Sequence, residues 1–225
     1  MKKGLNADKS DLSKQEHHWE KMLSSKPEMF GELQSRSASK AAEMFMEEGM
    51  TKLLELGGGQ GRDTMFFAQN GFQVQVLDYS ESGVKNINEK ADRQSLSKLV
   101  TAKTYDIRNP LPFENETFDA CYSHMLYCMA LTTKELADLN SEIRRVLKNN
   151  GLNVYTARHV GDADYGTGIH RGEDMYEVGG FIVHFFSKEK VEQLSKGYEV
   201  VGIDEFEEGS LPRKLFRVTM RKSGT

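Results

Sequence analysis

The stretch Glu55-x-Gly57-x-Gly59-x-Gly61 places an acid and alternating glycines between the short apolar run Leu53-Leu54-Glu55-Leu56 and a helix-like segment from Asp63 to Ala68. Glycine accepts positive φ and lets a backbone approach a ligand closely, and a helix start offers unpaired N–H groups to an anionic end. Gly57, Gly58, Gly59 and Gly61 can therefore cradle a small molecule. A dinucleotide fingerprint does not fit, because its third glycine falls on Arg62. A second carboxylate, Asp78 in Val76-Leu77-Asp78-Tyr79-Ser80, closes the next apolar run. It can accept both ribose hydroxyls of a nucleoside whose other end lies on the glycine turn. A third, in Tyr105-Asp106-Ile107, sets an acceptor beside an apolar residue, which suits the edge and face of a base. A turn-forming aspartate before Arg108-Asn109-Pro110 is the alternative.

Holding these groups together requires strands alternating with helices. Lys52–Leu56 reads as a strand, Asp63–Asn70 as a helix and Phe72–Leu77 as an alternating strand. Ser80 can cap a helix running to about Arg93. Leu99–Tyr105 and Thr117–Ser123 read as strands. Thr132 or Thr133 opens a helix to Lys148, which Asn149-Asn150-Gly151 is expected to end as a left-handed cap before the strand Leu152–Ala157. This rhythm predicts an α/β, doubly wound, mostly parallel sheet. After a loop from His159 to Val178 and the run Phe181–Phe186 comes a helix from Ser187 to about Lys196. Two strands follow, Tyr198–Phe206 and Leu215–Arg221, joined through Gly209 and Pro212, so the last strand should be antiparallel.

Upstream of the core, residues 1 to about 12 are polar and expected to be mobile. Lys14–Leu23 predicts a short helix with Trp19, Met22 and Leu23 on one side. Pro27 and Gly31 break the chain, and Ser37–Glu48 predicts a second helix with Ala38, Ala41, Ala42, Phe45 and Met46 at helical spacing. Residues 1–225 thus read as one domain, a helical preface over 1–49 and an α/β core over 50–225. The preface either packs on the sheet or forms a lid.

Composition excludes several classes. A net charge of −4 gives no electrostatic reason to expect a nucleic-acid partner. No apolar run approaches a membrane span, and the N-terminus lacks the apolar core of a signal peptide. Two cysteines, Cys121 and Cys128, make no disulfide framework, so a cytoplasmic location with reduced thiols is expected. Cys121 reads as core, and Cys128 as packing or substrate contact. The spacing of His159, His170 and His184 is not that of a zinc site, and no metal is expected. One of these histidines could serve as a general base at neutral pH.

The order Glu55-x-Gly57-x-Gly59-x-Gly61, Asp78, Asp106-Ile107, Phe118-Asp119 and Leu147-Lys148-Asn149-Asn150-Gly151-Leu152 resembles that of class I S-adenosylmethionine (SAM) dependent methyltransferases of the small-molecule type. The resemblance spans roughly residues 50 to 160. It implies a Rossmann-like methyltransferase fold of seven strands with the last reversed. It also implies SAM as cofactor, S-adenosylhomocysteine (SAH) as product, and direct in-line displacement onto a small-molecule acceptor. It places cofactor contacts at Glu55, Gly57, Gly58, Gly59, Gly61, Asp63, Asp78, Tyr79, Asp106, Ile107 and His124, the last through its backbone carbonyl. The Asn/Asp-Pro-Pro-Tyr motif of amide- and base-amine enzymes is replaced by Ser123-His124-Met125-Leu126-Tyr127, and the metal cluster of catechol-type enzymes is missing. The insertion 159–186 stands where small-molecule members build the acceptor pocket, and Val183–Ser187 is similar to tellurite-resistance-type and thiopurine-type members. Tyr127, His159, His170, Arg171, Tyr176 and His184 are the candidates for acceptor contact. Alternatives are a SAM-binding protein without turnover, an NAD-dependent oxidoreductase, and a methyltransferase acting on protein or nucleic acid.

Overall fold

A computed structural model describes residues 9–26, 29, 31–209 and 213–224. Residues 1–8, Pro27 and Pro212, which entered the readings of a mobile terminus, a chain break and a closing turn, lie outside the described residues. Seven strands form one sheet: β1 (Lys52–Leu56), β2 (Gln73–Asp78), β3 (Val100–Thr104), β4 (Phe118–Ser123), β5 (Leu147–Arg158), β9 (Tyr198–Glu208) and β10 (Arg213–Lys222). Their order is β3-β2-β1-β4-β5-β10-β9. β10 runs antiparallel to both of its neighbours, and β1 to β5 pair in parallel. The reversed last strand is as the sequence implied.

Each face of the sheet carries an apolar layer. On one, α2 (Arg36–Glu47), α3 (Arg62–Gln69) and α4 (Glu81–Arg93) bury Ala38, Ala41, Phe45, Phe67, Val84 and Ile87 against Leu53, Val74 and Val76. On the other, α5 (Thr133–Val146) and α6 (Lys188–Leu194) bury Leu136, Leu139, Ile143 and Val191 against Leu54, Cys121 and Tyr155. Apolar residues three and four apart generate the helix stripes and alternating ones the strand faces. Thr132 caps α5 with a reciprocal Glu135 contact, and Ser80 caps α4 by accepting from the Gly83 N–H.

Several expectations need correction. The helix α1 spans Lys9–Ser25, so it starts inside the stretch expected to be mobile, and Met46 is 48% exposed rather than packed. α5 stops at Val146, not Lys148: the Arg145 and Val146 carbonyls accept from the Glu116 and Thr117 N–H groups, which draws Leu147 into pairing with Phe118. Asn150 does take a left-handed φ of 63°, but inside β5. The loop expected over 159–178 contains most of an antiparallel meander, β6 (Ile169–Gly172), β7 (Met175–Val178) and β8 (Phe181–His184). No described helix is long and apolar enough to cross a membrane.

Candidate active site

The strand order reverses between β1 and β4, and the glycine turn leaves the carboxyl end of β1 at that switch point, where open α/β sheets bind their ligands. Gly57, Gly59 and Gly61 have φ of 72°, 55° and 83°, which explains why glycine is needed at alternate positions. Gly58 meets a different demand, since a Cβ there would lie 2.6 Å from Val76 Cγ1. The Gly59 N–H donates to Asp78 Oδ2 at 2.8 Å, and the Ser80 N–H donates to Oδ1 at 2.9 Å. The turn and the end of β2 therefore share one carboxylate. Burial pushes the Asp78 carboxyl up to about 6, an effect eased by those two N–H donors.

Glu55 lies beneath the turn and is 3% exposed, accepting from Thr64 Oγ1 at 2.6 Å. Burial, then the neighbouring Asp63 carboxylate, push its carboxyl up to about 8, so it is largely neutral at pH 7. A folded-state value above the ordinary 4.5 means that the folded chain holds this proton more tightly than the unfolded chain. The resulting stabilisation is fully present below about pH 4.5 and is lost as pH rises through about 8. Glu55→Gln should therefore flatten the fall in urea stability between pH 6.5 and 9, a fall of a few kcal/mol in the unmodified chain. Parallel pH profiles for the two proteins would refute this.

Asp63 is buried in the first turn of α3. Its oxygens accept from the Ser35 N–H and Oγ, both at 2.7 Å, and from the Tyr122 hydroxyl at 3.2 Å. It anchors the N-cap of α2. Asp106 follows β3, and the Arg108 guanidinium grips both of its oxygens at 2.7–2.9 Å, holding its carboxyl below the ordinary range despite burial. Ile107 beside it is buried, and Tyr79 lines an open cavity with Thr104.

At the end of β4 the chain turns sharply. Met125 sits at φ 59°, an uncommon conformation for a side chain of its size. Its N–H donates to Thr156 Oγ1 at 2.8 Å, and that hydroxyl lies 3.0 Å from His124 Nδ1. His124 Nε2 faces Glu208 at 3.6 Å, and Arg62 Nη2 bonds the other Glu208 oxygen at 3.2 Å. Burial holds the imidazole below its ordinary value. Leu126 then packs over Gly57, its Cδ1 3.2 Å from where a Cβ would stand. Thr156, Glu208 and Leu126 were not foreseen, since their partners are distant in sequence.

The acceptor candidates divide. Tyr127 is fully buried, stacked on Tyr155 at 3.8 Å, with its hydroxyl held by Asn140 and Asn153. His184 is fully buried between the Leu131 carbonyl at 2.7 Å and Lys190 Nζ at 2.6 Å. Burial, then the Lys190 charge, push it down to about 4. Both are packed into the core with internal hydrogen-bond partners. His159 stacks on Phe216 at 4.6 Å and accepts from the Gly161 N–H. His170 and Tyr176 pair within the meander at 5.0 Å, and Arg171 is bonded to Glu177. The meander is fastened to the same edge of the sheet as the glycine turn: the His184 N–H donates to the Cys128 carbonyl and the Val160 N–H to the Phe186 carbonyl. Cys128 is buried, and burial pushes its thiol up to about 11.

Residues 53–151 match a family model described as a methyltransferase domain. They are a methyltransferase domain. The matched span runs from β1 to Gly151 and includes every residue expected to contact the cofactor. TehB of Haemophilus influenzae, named as an S-adenosyl-L-methionine-dependent methyltransferase, is 26% identical over 106 residues, covering 47% of this chain and 35% of that protein. The chain thus spans about a third of the length of that curated relative. A SAM-dependent methyltransferase from Methanosarcina mazei superimposes with a TM-score of 0.67 at 18% identity, covering 78% of this chain and 94% of that one. The 1,6-didemethyltoxoflavin-N1-methyltransferase of Burkholderia thailandensis, solved with 1,6-didemethyltoxoflavin and S-adenosylhomocysteine, gives 0.67 at 16%, covering 84% and 79%. At these identities the structures show that the methyltransferase domain shares their fold.

Proposed function

We propose that the chain transfers a methyl group from SAM to a small-molecule acceptor. One observation carries the reading: a buried carboxylate, Asp78, is bonded to a positive-φ glycine turn at the switch point of the sheet. The fit to SAM rests on that chemistry. Asp78 keeps acceptor capacity beyond its two N–H donors, and Gly57, Gly59 and Gly61 hold the positive-φ turn beside it. Gly57–Gly61, Asp78, Tyr79 and Asp106-Ile107 would hold the cofactor, with the His124 turn closing the side toward the acceptor. Bound SAM supplies a sulfonium-activated methyl group, so the protein contributes mainly orientation and exclusion of water.

The histidines support an acceptor that brings its own lone pair. His124 and His159 are both held below their ordinary pKa by burial, and their ring nitrogens already face Thr156, Glu208 and Gly161. A thiolate or chalcogenide acceptor needs no base, whereas an oxygen or nitrogen acceptor calls for one. The Burkholderia neighbour, whose acceptor is a small molecule, supports the small-molecule class. We take residues 1–225 as one working unit in a reducing, cytoplasmic setting, consistent with two buried free thiols. Calorimetric titration with SAM, SAH and NAD tests the reading, followed by SAH formation with thiol, chalcogenide and amine acceptors. Binding of SAM and SAH but not NAD is expected. A folded protein that binds NAD and ignores SAM would refute it.

A further inference from the structure

We propose that α1 is a strap that roofs the donor pocket and ties it to the meander, with Glu20 as its latch. This rests on the donor reading above. On the donor side, Glu20 accepts from Ser80 Oγ at 2.5 Å and from the Ser82 N–H at 3.4 Å, and Ser82 Oγ also donates to it. These groups open α4 directly after Asp78, where a helix N-terminus favours an anion. From the glycine turn, Gln60 Nε2 donates to the Leu23 and Lys26 carbonyls at 3.3 and 2.7 Å. It thereby satisfies carbonyls that the end of α1 leaves without a helical partner. Glu16 stands 3.8 Å from Arg108, which grips Asp106.

On the acceptor side, Gln15 bonds the start of β8 through both groups of its amide, donating to the Gly180 carbonyl at 3.0 Å and accepting from the Ile182 N–H at 3.1 Å. His18 and Trp19 pack on Phe181 at 4.3 and 4.9 Å. Between these anchors, Glu16, His17 and Glu20 form one wall of an open cavity of about 350 Å³, with Tyr79, Glu81 and Thr104 opposite. Asp78 beneath is 7% exposed. A nucleoside reaches it only when the roof lifts. The Glu20 anchors lie on Ser80 and Ser82 rather than on Asp78 or the glycines, so the roof can return over an occupied pocket.

One rigid helix carries both sets of anchors. At about 1.5 Å per residue, Gln15 and Glu20 lie about 8 Å apart along it, so loosening one end loosens the other. Each lost hydrogen bond shifts closing by roughly two- to tenfold. The meander end therefore controls how long the donor stays.

Trp19 is the only tryptophan in the sequence, so its emission reports the Phe181 contact. Stopped-flow mixing with SAH should give a Trp19 emission change in the unmodified chain. Gln15→Ala and Glu20→Gln should each speed SAH dissociation by about three- to tenfold, with thermal unfolding checked for both. An unaltered dissociation rate in Gln15→Ala, whose substitution lies away from the donor, overturns the strap and leaves the donor reading intact. No calorimetric SAH binding by the unmodified chain removes both.

Discussion

Asp78→Ala is expected to weaken SAM and SAH binding by about 100-fold or more while leaving the chain folded. A hydrogen bond to a charged group contributes about 1.5–3 kcal/mol, and a nucleoside offers this carboxylate two hydroxyls. The loss of both corresponds to two or more decades in affinity. Asp78→Asn, which keeps one acceptor oxygen, should fall between. Because burial pushes the Asp78 carboxyl up to about 6, affinity should rise with pH through that value and level off above 7, as the acceptor form becomes fully populated. The alanine variant should lose that step along with most of its binding. Titrations with SAH at pH 5, 6, 7 and 8 measure both effects. Affinity within a few-fold of the unmodified chain at pH 8 would move the ribose contact elsewhere.

The parts that were legible in the sequence carry their signal locally. Phe72, Val74 and Val76 alternate with Gln73 and Gln75 before Asp78, and Gly57, Gly59 and Gly61 need positive φ at the positions where they stand. The meander was missed for two reasons. Its strands are four residues each, too short for a periodic signal, and one of its turns is built from Glu173 and Asp174 at φ 51° and 68°. Gly179-Gly180, at φ 60° and 86°, did offer a hairpin signal between β7 and β8. Asp63 shows the other limit. An acid in the first turn of a helix looks like a ligand contact, but its partner Ser35 lies upstream in another element. Glu20 likewise reads as an ordinary charge on a helix face until α4 is folded beneath it.

Gly83 is the residue where local preference and tertiary structure conflict most sharply. Glycine within a helix costs about 0.5–1 kcal/mol relative to alanine, so Gly83→Ala should stabilise α4 on propensity alone. The structure predicts the opposite. A Cβ at Gly83 would lie 2.6 Å from the Gly59 carbonyl oxygen, a backbone atom that cannot swing aside as a side chain would. Either α4 or the glycine turn must move, and the two N–H groups that hold Asp78 belong to Gly59 and Ser80, one on each side of that contact. Gly83→Ala should therefore destabilise the fold by about 1–3 kcal/mol, as overpacked sites do, and weaken SAH binding by about tenfold or more. Gly202→Ala provides the control, since no atom lies within 4 Å of a Cβ there. Urea denaturation and SAH titration of both variants decide the matter. If Gly83→Ala is as stable as the parent and binds SAH normally, the approach of α4 to the turn does not hold the donor site in shape. If only Gly83→Ala fails, the glycine in α4 belongs to the donor site as much as those in the turn.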